Sequence, residues 1–274
     1  MPIATVYTRA CVGVDAPLVT VEVHLSPGLP GVSIVGLPEA AVREARDRVR
    51  SALQISGFEM PRRRITVNLA PADLPKQGGG FDLPIALGIL AASRQIPNEP
   101  LARYEFMGEL ALSGALRPIR GALPAALAAG RAQRALLLAR DSADEAALAP
   151  DPDIFAAEHL LAVTQHLSGG NTLPTRKPMP TVAEQTGDDL ADVRGQVQAR
   201  RALEVAAAGG HNMLMVGPPG TGKTMLASRL PGILPSMEVA EALETAAIAS
   251  VSGRDMDLRG WRKRPFRNPC LLYT

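Results

Sequence analysis

Apolar and polar residues alternate from Leu18 to Leu25 (LVTVEVHL) and again from Arg64 to Leu69 (RITVNL), the two-residue period of strands with one buried face. Between these predicted strands the period lengthens. Val42, Ala45, Val49 and Leu53 recur at spacings of three and four, which predicts a helix opened by Pro38, stopped at Gly57 and carrying one apolar stripe. After a glycine-rich loop (Gly78-Gly79-Gly80), the nearly unbroken apolar run Asp82 to Leu90 predicts a buried helix with Asp82 as its N-cap and Pro84 in its first turn. A short hairpin is expected in Phe106 to Leu112, turning at Ser113-Gly114. An alanine-rich helix near Ala122 to Arg131, a strand from Ala135 to Ala139 and another helix toward Leu167 follow. Strands and helices mixed in this way place the region in the α/β class.

From Ser168 to Gly187 (SGGNTLPTRKPMPTVAEQTG) neither period is present, and Gly, Pro, Thr and Ser accumulate, so a linker is expected. A length of 274 residues fits about two domains. The expected boundaries are 1–167 for the first domain, 168–187 for the linker and 188–274 for the second. The second begins Asp189-Leu190-Ala191-Asp192-Val193-Arg194-Gly195-Gln196, runs through a helix to Gly209-Gly210 and enters a predicted strand, Asn212-Met213-Leu214-Met215-Val216.

Composition narrows the chemistry. The chain is 46% hydrophobic but only 3% aromatic, so its cores are aliphatic and no aromatic platform for stacking on single-stranded nucleic acid is evident. A net charge of +2 is too small to argue for a nucleic-acid partner by itself. Cys11 and Cys270 have no CxxC partner, which argues against a cysteine-built zinc site and fits a reducing, cytoplasmic setting. No stretch reaches the roughly 18 apolar residues of a membrane span, and the N-terminus lacks the pattern of a secretory signal. No membrane association is expected.

The predicted strand 212–216 leads directly into Gly217-Pro218-Pro219-Gly220-Thr221-Gly222-Lys223-Thr224, every fixed position of a P-loop. A triphosphate presents several adjacent negative charges. Consecutive backbone N–H groups in a concave turn can hold them, and the glycines Gly217, Gly220 and Gly222 keep that turn free of side chains. Lys223 would reach the β- and γ-phosphates, and the Thr224 hydroxyl would ligate Mg²⁺. Hydrolysis asks for more: a later strand ending in acidic residues, and an arginine for the transition state. No apolar run ending in Asp-Asp or Asp-Glu occurs among the roughly fifty residues after Lys223. Binding of a nucleoside triphosphate without turnover is the expectation.

The segment DLADVRGQVQARRALEVAAAGGHNMLMVGPPGTGKTMLASRLPGILP, Asp189 to Pro235, resembles the opening of the magnesium-chelatase-type AAA+ ATPases, most closely their ComM-like (YifB) branch. The stretches VGLPEAAVREARDRVRSAL, PADLPKQGGGFDLPIALGIL and GELALSGALRPIRGALPAA resemble that branch's N-terminal domain, which is similar in fold to the Lon protease domain (ribosomal protein S5 domain 2-like). The resemblance implies an α/β fold in which a Lon-like domain precedes the first part of a P-loop AAA+ domain. ATP becomes the nucleotide, with Val193 to Gln196 near the adenine. By pattern alone Val193 could equally be a core valine. The family forms hexameric rings, and its competence members promote branch migration of incoming DNA, so a homo-oligomer is implied and DNA is a candidate partner.

Lon-type proteolysis uses a serine in a Lys-x-Gly-x-Ser loop and a lysine base on the next helix. Lys76-Gln77-Gly78-Gly79-Gly80 puts Gly80 at the serine position, and the lysine position falls at Leu123, so a protease is not expected and no catalytic residue is assigned. The tail Asn268 to Thr274 departs from the family pattern after Arg264-Pro265-Phe266-Arg267, and the chain is read as a C-terminally truncated form. Arg259, Arg262, Lys263, Arg264 and Arg267, like Arg62-Arg63-Arg64, read first as solvated charge and second as phosphate contacts. His211 reads as a turn residue. Two other functions stand beside the leading one: a magnesium-chelatase motor subunit acting in porphyrin metallation, and a non-enzymatic DNA-binding or oligomerisation module.

Overall fold

The computed structural model describes residues 3–179, 188–253 and 256–266. The chain divides into two units, Met1–Met179 with Ala246–Met256, and Pro180–Thr245 with Asp257–Thr274.

In the first unit the elements run β1 (Ile3–Arg9), β2 (Leu18–Ser26), β3 (Gly31–Val35), α1 (Ala40–Ile55), β4 (Arg64–Ala70), α2 (Asp82–Ala92), β5 (Tyr104–Met107), β6 (Glu109–Leu110), β7 (Leu116–Arg117), α3 (Ala122–Arg131), β8 (Ala135–Ala139), α4 (Arg140–Ala146), β9 (Ile154–Ala157), α5 (Leu160–Leu167) and β10 (Thr175–Arg176). Eight strands form one sheet in the order β10-β9-β8-β5-β1-β2-β4-β3. Its β3–β4, β1–β5, β5–β8 and β8–β9 pairs are parallel, whereas β1–β2, β2–β4 and β9–β10 are antiparallel. The architecture is mixed α/β, as expected.

The alternation in LVTVEVHL becomes a one-sided strand, with Val19, Val21, Val23 and Leu25 buried and the residues between them half-buried. Ile65, Val67 and Leu69 of β4 continue that face, in register with Leu25, Val23 and Val21. Helix α1 buries the stripe read from its spacing, Val42, Ala45, Val49 and Leu53, together with Ala52. Helix α2 is buried along its whole length, which explains why its sequence shows no polar face.

Several expectations change. Asp82 is the first residue of α2 rather than its cap, and makes no capping bond. Its buried carboxylate instead accepts from Arg48 Nε at 2.7 Å, from Arg48 Nη2 at 3.0 Å and from the Leu110 N–H at 3.1 Å. A partner from a distant helix satisfied a group that local sequence offered to the backbone. Burial pushes this carboxyl above the usual aspartate range, against the pull of Arg48. The hairpin is also smaller than expected. Phe106 lies in β5 of the main sheet, and only β6 and β7 form the two-stranded turn. Strands β1, β3, β9 and β10 and helix α4 had no sequence expectation. Of the segment 168–187 expected to be a linker, β10 pairs with β9 and belongs to the first unit, while residues 180–187 lie outside the described residues.

A charge buried at the centre of the sheet has no local signature at all. Glu105 on β5 is fully buried and takes a two-pronged grip from Arg9 on β1, with Nε–Oε2 and Nη2–Oε1 both 2.6 Å. Arg9 also donates to the carbonyls of Ala16 and Ala128, and Arg134 reaches Glu105 Oε1 at 3.3 Å while stacking 4.1 Å over the Tyr7 ring. Removing the carboxylate strands Arg9 without its counter-ion. Glu105→Ala is expected to destabilise the first unit by about 3–5 kcal/mol, read from urea unfolding followed by far-UV circular dichroism.

On α5 the His166 ring closes another tertiary contact. Its Nδ1 accepts the Leu173 N–H at 3.1 Å, which leaves the proton on Nε2, 3.0 Å from the Tyr104 hydroxyl. Burial pushes its pKa below the usual histidine value. The unfolded chain therefore binds more protons as the pH falls below about 6.5, and stability drops over that window. His166→Asn, whose amide oxygen can still accept from Leu173, is expected to flatten the decline in melting temperature between about pH 6.5 and pH 5.

Candidate functional site

The second unit contains a 3₁₀ turn (Leu190–Asp192), α6 (Val197–Gly209), α7 (Lys223–Ser228), α8 (Leu230–Ile233) and the first part of α9 (Val239–Ser252). Its start is fixed by a capping box: Asp189 accepts the Ala191 N–H at 2.8 Å, and Asp192 accepts the Asp189 N–H. Leu190, Val193, Leu203 and Leu226 then form a small aliphatic core, with Met215, Leu230 and Ile233 packed against it. This core ties the segment before α6 to the helix after the loop. Helix α6 ends at Gly210, in left-handed conformation, and the His211 N–H returns to the Ala206 carbonyl at 2.9 Å, so His211 is a turn residue, as read from sequence.

The expected strand 212–216 is not formed. Leu214 is 86% exposed and Val216 87%, and only Met215 of the five is half-buried against the small core. A strand exists through the ladder it joins, and no described strand pairs with this one. The apolar pattern is there without its partner.

The loop itself turns as its glycines require. Gly220 and Gly222 both have φ near +83°, and Gly222 is the left-handed residue from which α7 starts at Lys223. A Cβ at Gly220 would meet nothing within 4 Å, whereas one at Gly222 would stand 3.3 Å from the Met225 methyl carbon. Lys223 folds back over the turn, its ammonium donating to the Gly217 and Pro218 carbonyls at 2.8 Å each and lying 3.4 Å from the Thr221 hydroxyl. That hydroxyl donates to the Pro218 carbonyl at 2.9 Å. Pro219, Gly220, Thr221 and Thr224 are exposed. The structure thus brings Gly217 through Thr224 together as one solvent-facing turn with a cation held at its base. The donor set fits a polyphosphate and, through the Thr224 hydroxyl, its Mg²⁺.

Val193 is almost fully buried in the small core and acts there as a packing residue. Gln196 ends the segment that the family resemblance puts near the adenine, but its contact with the loop was not foreseen. Its side chain donates from Nε2 to the Thr221 carbonyl at 3.2 Å, and so links the segment before α6 to the loop across 25 residues. Its position beside Gly195 at the start of α6 was the available signal. The basic run is partly committed to its own unit: Arg262 donates to the Met237 carbonyl from Nε and Nη2, and Arg264 to the Pro235 carbonyl and to Glu241. Arg267 lies outside the described residues. Arg62, Arg63 and Arg64 are exposed at the entry to β4.

Gly80, expected from the resemblance at the place of a serine, faces Met107 and Ile119, with their methyl carbons 3.9 Å from where a Cβ would stand. Leu123 is fully buried on α3, and its N–H donates to Glu145 at 3.0 Å. Lys76 is buried, its ammonium donating to the Pro71 carbonyl, and burial holds its pKa below the usual lysine value. No helix among the described residues is long and apolar enough to cross a membrane.

Fold and loop define a class: an α/β protein whose second unit carries a glycine-rich turn of the phosphate-binding sequence type. Comparison with known proteins gives the family. The model for subunit ChlI of Mg-chelatase matches residues 21–142, and the model for magnesium chelatase, subunit ChlI, matches residues 189–272. The chain is 53% identical over 269 residues to the uncharacterized protein YifB of Escherichia coli, covering 98% of this chain and 53% of that one. It is also 53% identical over 274 residues to competence protein ComM of Haemophilus influenzae, covering 98% of this chain and 54% of that one. The uncharacterized protein Rv2897c of Mycobacterium tuberculosis is 44% identical over 254 residues, covering 92% and 50%. The chain belongs to the ComM/YifB-like, magnesium-chelatase-type family, and it spans about half the length of the curated relatives it matches.

The small core carries the loop's support, so its loss should be felt there first. Leu203→Ala is expected to destabilise the second unit by about 2–3 kcal/mol, toward the low end for a buried leucine because so small a cluster can partly collapse. Trp261, the single tryptophan, lies in that unit. A fall in the urea midpoint of its fluorescence, with the far-UV transition of the first unit retained, is the expected result.

Proposed function

We propose that this chain binds ATP with Mg²⁺ through Gly217 to Thr224, as the nucleotide-binding part of an AAA+ protein of the ComM-like kind. The single observation that carries the reading is the left-handed turn at Gly220 and Gly222 with the Lys223 ammonium held against its carbonyls, in a chain 53% identical to a competence protein. Lys223 would exchange the Gly217 and Pro218 carbonyls for β- and γ-phosphate oxygens, and Thr224 would ligate Mg²⁺. Bound Mg²⁺ would neutralise part of the phosphate charge. Gln196, anchored on Thr221, would keep the segment following Val193 beside the nucleotide.

The setting is the cytoplasm, and the assembly is a ring of identical subunits in which ATP drives movement on recombining DNA. Between Thr224 and Thr274 no apolar run ends in paired acidic residues, so the residues assigned here serve nucleotide binding. Its first unit is a Lon-like domain without proteolytic chemistry, since Gly80 offers no nucleophile and the buried Leu123 no base. A chelatase motor role is favoured by the names of the two matching family models, and porphyrin-dependent stimulation of nucleotide binding would distinguish it.

Titration with a fluorescent ATP analogue in the presence of Mg²⁺ tests the reading. Lys223→Ala is expected to weaken binding at least tenfold, equivalent to about 1.4 kcal/mol. Unchanged affinity would remove the loop from the site.

A further inference from the structure

In the second unit the segment Met213-Leu214-Met215-Val216 has the sequence of a strand, and no described strand lies beside it. No main-chain hydrogen bond ties residues 212–216 to another described residue, so both edges of this segment are bare. Its side chains say what kind of strand it suits. A strand with one wet face alternates apolar and polar residues, whereas an unbroken apolar run suits a strand buried on both faces and flanked on both edges. In extended form, positions 213 and 215 share one face, and 214 and 216 the other.

The first of these faces is partly covered. Met215 packs on the small core, and Met213 lines an apolar groove of about 670 Å³ together with Val197, Ala202, Val205 and Ala206 of α6. The groove is still wet, with Val197 75% exposed and Val205 47%. The second face has no cover, since Leu214 and Val216 both stand in solvent. A contiguous apolar surface of this kind marks a place where another polypeptide docks.

The size of that polypeptide follows from what is bare. A single added strand would pair one edge and leave the other edge and the outer face wet. Both edges and that face together call for strands on either side and a layer over Leu214 and Val216. The relatives at 53% identity, YifB and competence protein ComM, hold a stretch long enough to supply this, because nearly half of each lies outside the part matched here. In those proteins the counterpart of 212–216 is joined covalently to that stretch, which keeps the two at high effective concentration.

We propose that the α6 groove and the bare edges of 212–216 are a docking surface for a separate polypeptide equivalent to that remaining part of a ComM-like protein, which adds strands on both sides and covers Leu214 and Val216. The two-polypeptide unit, rather than this chain alone, is then the subunit of the ring proposed above. No nucleotide takes part in the contact, so a failed Lys223→Ala titration leaves it standing.

Coexpression supplies the test. The whole chain, carrying an affinity tag, is produced in the same cells as the untagged part of Haemophilus influenzae ComM that lies outside the match. The two are expected to copurify in equal amounts through affinity and size-exclusion steps. A variant with both Leu214→Asp and Val216→Asp is expected to lower recovery of the untagged polypeptide at least tenfold while the tagged chain keeps its far-UV circular dichroism, because both positions are exposed. Leu29→Asp, at a leucine 90% exposed on the first unit, is expected to leave recovery unchanged. A wild-type chain that recovers no partner, whether the partner stays in the lysate or precipitates, overturns the proposal. So does equal recovery with the double variant, or an equal loss with Leu29→Asp, which marks indiscriminate apolar adhesion. Self-association of the tagged chain that the double variant abolishes overturns it too, because 212–216 then serves a second copy.

Discussion

The seam between β1 and β5 is the constraint on which the first unit depends. On one side lie β2, β4 and β3, and on the other β8, β9 and β10. Across the join, strand pairing is brief, with Tyr7 opposite Glu105 as the matched position. Backbone bonds there are too few to align two half-sheets. The two-pronged Arg9–Glu105 contact supplies what the ladder does not, and Arg134 closes the second side of the same carboxylate while lying over Tyr7. A buried ion pair of this kind is a weak source of net stability compared with apolar packing, but it is directional. It fixes which strand meets which, and the aliphatic core on the α1 and α2 side supplies the energy.

The second unit rests on a different balance. Its core is four buried residues with a few half-buried neighbours, and a segment with strand pattern lies exposed beside it. Order around the loop comes from short-range devices: the Asp189–Asp192 capping box, the left-handed residues at Gly210 and Gly222, and the Gln196 bridge. These hold the turn in place. They provide little cooperative stability, so the loop's geometry is coupled closely to the packing of Leu203 and Leu226. The surroundings of Gly80 and Leu123 in the first unit show the reverse case, a well-packed place in a strong fold.

Family membership and local chemistry agree here, yet they speak to different things. The matches to 21–142 and 189–272 fix ancestry across both units. Local chemistry is carried by Lys223 and the exposed residues around it, a cation beside a glycine-rich turn.

By itself the sequence determined the features with a local physical cause. The alternation in β2 and β4 and the three-and-four spacing in α1 are read from side-chain direction alone, and all were found in place. The loop from Gly217 to Thr224 was legible because the phosphate-binding sequence type sets fixed residues at fixed spacing. Tertiary structure decided the rest. Asp82 gave up a cap for Arg48, because a guanidinium 34 residues away in sequence is the stronger partner for a buried carboxylate. Strands β3, β9 and β10 are too short to show a period, and they exist only through the neighbours they pair with. The segment 212–216 has the pattern of a strand and is not one, for the same reason reversed. A strand's hydrogen bonds lie in another part of the chain, so a sequence window can show that a segment is suited to a sheet but not that the sheet is there.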